Sequence, residues 1–129
     1  MANEDLKIET TSENGGKVRL LNLSGSLDVA TCGKVREALA QATQEGCHDL
    51  IVDLSHLEFL DSTGLGALIG AHRRAAEHGG QVRLVVTEGT IARLLNITGL
   101  VRVFAVYASL KDALEGRSRV TTADAKPSS

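Results

Sequence analysis

The residues best suited to chemistry lie in one stretch, Asp61-Ser62-Thr63-Gly64-Leu65-Gly66, where two hydroxyls follow a carboxylate and two glycines open what the downstream pattern marks as a helix. Glycine is a poor helix former, so helix propensity does not account for this opening. Two readings fit. In the structural one, Gly64, Gly66 and Gly70 let the helix lie close to a strand, and Ser62 is the N-cap that satisfies orphan amides. In the functional one, Ser62 presents an exposed hydroxyl at the positive end of a helix dipole, with no side chain at Gly64 or Gly66 to block an approaching partner. A phosphate on that hydroxyl would stand beside Asp61 and near the amides of Gly64 and Leu65, concentrating charge on a small patch.

Other chemistries fit less well. A serine nucleophile on a strand-to-helix elbow needs glycine two residues before and two after it, and Ser62 has Leu60 and Gly64 at those places. His48, His56, His72 and His78 could supply a base, but His72 and His78 fall well along the helix that Ser62 begins, so no catalytic residue is assigned. The phosphate-loop pattern ending in Gly-Lys-Ser/Thr is absent, and Gly64-x-Gly66 continues to Gly70 rather than to a third glycine at dinucleotide-binding spacing. Cys32, Cys47, His48 and His56 lack the paired spacing of a structural zinc site. No cofactor or metal is expected, and the chain is not read as an enzyme. Asp28, after Gly25-Ser26-Leu27, either caps the first helix or belongs to a surface beside the Ser62 loop.

A chain of 129 residues fits one compact domain. With 14 basic and 16 acidic residues the net charge is −2, and no window gathers enough Lys or Arg to neutralise a run of phosphates, which argues against nucleic acid as a partner. The start MANEDLKIET lacks the basic and apolar parts of a secretory signal, and no apolar run approaches spanning length. The expectation is a cytoplasmic protein with no membrane partner. In that compartment Cys32 and Cys47 are expected to be free and to act as small buried hydrophobes.

The elements that must position the Ser62 loop follow from periodicity. Residues 6–11 and 18–23 read as strands of a hairpin around Asn14-Gly15-Gly16. A helix is predicted over about residues 30–45, with Val35, Leu39 and Ala42 on one face and Gly46 as its stop. Residues 50–54, apolar except for Asp53, read as a central strand covered on both faces. A second helix follows, with Leu65, Leu68, Ile69, His72 and Ala76 on one face until Gly79-Gly80. Residues 82–86 read as a strand, 90–96 as a helix ended by Gly99, 101–106 as a last strand and 109–114 as a short helix. Residues 116–129 show no apolar period and are expected to form a disordered tail. Two strands followed by alternating helices and strands give an α/β fold with a mixed sheet, an N-terminal hairpin then parallel strands, and about four helices packed on it.

Gly25-Ser26-Leu27-Asp28, Leu50-Ile51-Val52-Asp53-Leu54, the block from Phe59 to Gly66, and Thr98-Gly99-Leu100 together resemble the bacterial anti-sigma factor antagonists, which are single STAS domains. The resemblance runs from about Leu6 to Leu114 and implies a STAS domain over residues 1–115. It implies partner switching: the unmodified protein binds an anti-sigma factor with serine kinase activity and so frees a sigma factor. That kinase, which itself uses the ATP, phosphorylates the antagonist to release it, and a serine phosphatase restores it. Ser62 matches the family's phospho-acceptor. Asp28, Asp61, Ser62, Thr63, Gly64, Leu65, Gly66 and Leu68 match its partner-facing edge. Ser26 departs from the pattern, standing where the family usually carries Glu, which bears on partner choice. STAS relatives attached to transporters or stress-sensing assemblies give the alternative, a constitutive interaction module.

Overall fold

The computed structural model describes residues 6–116; the expectation for residues 117–129 lies outside them. Strand β1 (Leu6–Glu13) turns through a 3₁₀ segment at Asn14–Gly16 into β2 (Val18–Leu27). Asn14, Gly15 and Gly16 all have positive φ, which is why this turn uses Asn-Gly-Gly rather than bulkier residues. Helix α1 (Cys32–Gln44), strand β3 (Asp49–Leu60), helix α2 (Ser62–Glu77), strand β4 (Gln81–Val85) and helix α3 (Thr90–Thr98) follow, then β5 (Ala105–Tyr107) and α4 (Leu110–Glu115). The five strands lie in the order β1-β2-β3-β4-β5, the first pair antiparallel and the rest parallel. The mixed sheet, the hairpin, the four helices and the central place of residues 50–54 are as the sequence indicates.

Alternation along the strands sorts the apolar residues onto two faces. Leu21, Leu23, Leu50, Val52, Val82, Leu84 and Val106 form the larger core with Val35, Leu39, Leu68 and Leu95 of the helices. Val18, Leu20, Ile51, Val85, Ala105 and Tyr107 form a smaller core under Ala113 of α4. Cys32 and Cys47 are free and buried.

Three details differ from expectation. Strand β3 continues past Leu54, because its pairing with β2 slips twice. It advances one residue further than β2 between the pairs Asn22↔Asp53 and Ser24↔His56, and again between Gly25↔Leu57 and Ser26↔Phe59. The first slip is tied by Asp53, whose Oδ1 accepts from the Ser55 amide at 2.9 Å and from the Ser55 hydroxyl at 2.6 Å. These bulges turn Leu54, Leu57 and Leu60 all into the core at a spacing of three, which hides the strand from a two-residue period. Second, of the predicted strand over 101–106 only Ala105 and Val106 are strand. After Gly99 ends α3 in the left-handed conformation, a 3₁₀ turn at Leu100–Arg102 closes with Val103 N–H donating to Leu100 O at 3.0 Å, and the Phe104 amide shares the same acceptor at 3.0 Å. Third, the buried face of α2 is Gly64, Leu65, Ala67, Leu68, Ala71 and Ala75, which leaves Ala76 exposed and Ile69 and His72 only half-buried. Small residues bring this helix close to the sheet, so its face is displaced from the one marked by the larger apolar side chains.

Candidate functional site at the start of helix α2

The carboxyl ends of β2 and β3 are level, because Leu27 pairs with Leu60. Asp28 and Asp61 therefore leave the sheet side by side, and the Asp61 amide donates to Leu27 O at 3.2 Å. The Asp28 turn is fixed by its own carboxylate: Oδ1 accepts from the amides of Ala30 at 2.9 Å and Thr31 at 3.2 Å, and Asp28 O accepts from Cys32 N–H at 2.8 Å. The N-cap of α1 is Thr31, so Asp28 does not cap that helix as its first reading expects; its carboxylate closes the turn before α1, and it stays half-buried beside Asp61.

The start of α2 corrects the sequence reading at one atom. Asp61, not Ser62, is the N-cap: its backbone is extended and its Oδ1 accepts from the Gly64 amide at 3.0 Å. Asp61 O then takes the Leu65 amide at 3.0 Å. The amides of Gly64 and Leu65, expected to face a phosphate, are therefore already used. Those of Ser62 and Thr63 make no hydrogen bond among the described residues. Ser62 becomes the first helical residue, and its side chain is exposed while Thr63 is half-buried. With the cap supplied by its neighbour, the Ser62 hydroxyl is not needed to close the helix.

The glycines divide between the two readings. A Cβ on Gly64 would lie 2.7 Å from Leu27 Cγ, 2.8 Å from Leu60 Cδ1 and 3.1 Å from Leu27 O, so Gly64 is what lets the helix sit on the strand ends. Gly66 faces open space and Gly70 has only the Arg74 guanidinium near it at 3.5 Å. Close packing thus explains Gly64 alone, and Gly66 is a bare surface position next to Ser62. The expected partner-facing set needs a matching correction. Gly64, Leu65 (7 % exposed) and Leu68 (0 %) are buried, so they shape the surface from beneath instead of forming it.

Two exposed apolar residues near this edge have no place in the sequence reading of the site. Val29 in the turn after β2 is 72 % exposed and Phe59, two residues before Asp61, is 49 % exposed. The second slip in β3 turns Phe59 away from the core that Leu57 and Leu60 enter; its only signal in the sequence is an aromatic placed out of phase with three leucines. Val29 gives no sequence signal beyond being apolar in a turn. The turn after β2 and the end of β3, which carry Asp28 and lead to Asp61, thus each expose one apolar residue.

The histidines are engaged elsewhere. His72 Nδ1 accepts from the Val82 amide at 3.2 Å and its ring meets Phe104 edge-on at 5.3 Å; burial pushes its pKa below the ordinary imidazole value. His48 and His78 stack at 4.3 Å, with His78 Nδ1 donating to Arg74 O at 3.0 Å, and His56 lies 3.4 Å from the Ser55 hydroxyl. Among the described residues, no three His, Cys, Asp or Glu side chains gather in a way that could hold a metal ion.

The model of the STAS domain family matches residues 8–113. The chain belongs to the STAS domain family. Within that family it groups with the bacterial anti-sigma factor antagonists. The anti-sigma F factor antagonist of Paenibacillus polymyxa is 32% identical over 111 residues, covering 85% of this chain and 93% of that protein. Among solved structures, an anti-sigma factor antagonist from Mycobacterium paratuberculosis superposes with a TM-score of 0.80 at 26% identity, over 89% of this STAS domain chain and 96% of that one. The phosphorylated form of the Bacillus cell fate determinant SpoIIAA has the same fold, with a TM-score of 0.68 at 21% identity over 85% of this chain and 98% of that chain. No helix of this STAS chain is long and apolar enough to cross a membrane, among the described residues.

Proposed function

We propose that this STAS domain is a cytoplasmic partner switch that binds an anti-sigma factor having serine kinase activity through the edge around Ser62. Phosphorylation of Ser62 turns that binding off, and a serine phosphatase turns it on again. One observation carries the reading: Ser62 is exposed at the first position of α2 while Asp61 does the capping, which leaves a serine hydroxyl with no structural duty at the positive end of a 16-residue helix.

The proposed action follows from charge. A phosphate of about −1.5 to −2 on Ser62 stands at the first turn, where the helix dipole and the Ser62 and Thr63 amides favour it, so folding survives. Against a partner, the same charge beside Asp61 must be desolvated on a surface that fits a neutral hydroxyl. Unpaired burial of charge costs several kcal/mol, and each ~1.4 kcal/mol is tenfold in affinity. Val29, Phe59 and Gly66 supply the apolar and open part of the contact, Asp28 and Asp61 its polar part. Incubation with the cognate anti-sigma kinase and ATP tests this. One phosphate on Ser62 is expected, and none on Ser62→Ala; a phosphate that still appears on the variant would move the acceptor to Thr63 or elsewhere, and no phosphate on the parent chain would favour a constitutive module.

A further inference from the structure

We propose that β1 is a homodimer interface, through which two copies of this chain pair their edge strands antiparallel about a two-fold axis at Thr10. β1 is the outermost strand of the sheet, and its register with β2 runs unbroken over eight residues. It contains no proline and no bulge, two of the usual devices that keep an edge strand from pairing with another chain. One end of the edge is closed by Lys34, whose Nζ donates to Leu6 O at 3.1 Å, and the other by the 3₁₀ turn that begins at Asn14. The open edge is thus residues 7–13, whose midpoint is Thr10, and the pairing of greatest overlap has its axis there.

Charge selects the same register. Lys7, Glu9, Thr11 and Glu13 share one face of β1, opposite Ser24, Asn22, Leu20 and Val18 of β2. With the axis at Thr10, Lys7 lies across from the second copy's Glu13, twice by symmetry, and Glu9 lies across from Thr11. Moving the axis one residue toward the N-terminus sets Glu9 against Glu9, and one residue toward the C-terminus sets Glu9 against Glu13. Opposite charges directly across a strand pair stabilise it and like charges destabilise it, so both neighbouring registers are disfavoured. Thr10 meets Thr10 on the other face, a pair suited to strands. Glu13 already accepts a 3.3 Å bond from the Thr11 hydroxyl, which leaves carboxylate capacity for a lysine.

A second feature adjoins the edge. An open groove of about 770 Å³ runs between β1 and α1, with Ile8 and Ala38 on its floor and Lys34, Glu37 and Gln41 on its rim. The two-fold axis brings the grooves of both copies together, covering the half-buried Ile8. The symmetry also sets the two Ser62 sites at opposite ends of one continuous sheet, because β2 and β3 run in reverse in the second copy, so dimerisation leaves both switches open.

Sedimentation equilibrium on the full chain, with Lys7→Glu, Glu13→Lys and the double exchange, tests the proposal. The parent chain is expected to dimerise reversibly, each single reversal to weaken dimerisation by about tenfold, and the double exchange to restore it. Amide exchange in residues 7–13 is expected to slow as concentration rises. A parent chain that stays monomeric at millimolar concentration, a double exchange no better than the singles, or a dimer that leaves those amides unprotected would overturn it. Circular dichroism on each variant separates loss of pairing from loss of fold.

Discussion

If Asp61 holds the start of α2 and Ser62 does not, stability and switching separate at adjacent residues. Asp61→Ala removes the carboxylate oxygen that accepts the Gly64 amide at 3.0 Å and leaves that buried donor unpaired. Loss of an N-cap costs about 0.5–2 kcal/mol, and the buried donor puts this case in the upper half of the range. Asp61→Asn keeps an oxygen in the same place and is expected to be nearly neutral, since Asn caps as well as Asp. Ser62→Ala removes an exposed hydroxyl and is expected to change stability by no more than about 0.5 kcal/mol. Urea unfolding of the three variants, with the slope checked for constancy, gives the differences directly. The order Asp61→Ala far below the other two supports the assignment. If Ser62→Ala is as destabilised as Asp61→Ala, the serine is the cap and the hydroxyl is not free for a switch.

Three further outcomes follow from the geometry. Gly64→Ala places a methyl at 2.7 Å from Leu27 and 2.8 Å from Leu60, so it is expected to cost about 1–3 kcal/mol in the same unfolding experiment, whereas Gly66→Ala, in open space, is expected to leave stability unchanged or raise it slightly. The pKa of His72 is lowered in the folded state by burial, and a proton on Nδ1 would also face the Val82 N–H. The unfolded chain therefore binds the proton more readily, and stability is expected to be full above the ordinary histidine pKa of about 6.5 and to fall as pH drops below it; His72→Gln should flatten that slope. Phe59→Ala is expected to weaken anti-sigma factor binding by about tenfold or more while unfolding is little changed, because an exposed aromatic at the end of the strand that leads into Ser62 is the kind of residue on which binding energy concentrates.

The α/β class, the order of elements along the chain and the place of the Ser62 loop were legible because alternation and turn residues agree: Asn14-Gly15-Gly16 forms the hairpin turn it suggests, and Gly99 ends α3 as a left-handed cap. What could not be read were features that depend on registry between distant segments. The two slips of β3 against β2 are set jointly by both strands, so the spacing of three among Leu54, Leu57 and Leu60 looked unlike a strand and the exposure of Phe59 stayed hidden. The closeness of α2 to the sheet depends on Leu27 beneath Gly64, 37 positions away in the chain, which is why its buried face was misplaced. Residues 101–106 failed for a different reason: a short apolar run fits a strand and a buried helical turn equally well. At the site, Asp61 and Ser62 are both good caps, and only the backbone geometry of the turn decides which one reaches the Gly64 amide.

The central claim is that charge on Ser62 controls binding without disturbing the fold. Isothermal titration calorimetry of the anti-sigma factor against the unmodified and the Ser62-phosphorylated chain, each first checked by circular dichroism and thermal unfolding, tests it most directly. The expected result is an unchanged fold with affinity lowered at least about tenfold to a hundredfold on phosphorylation. Equal affinities would remove the switch, and a phosphorylated chain that has lost its fold would mean that phosphate acts by unfolding the domain rather than by its charge at the surface.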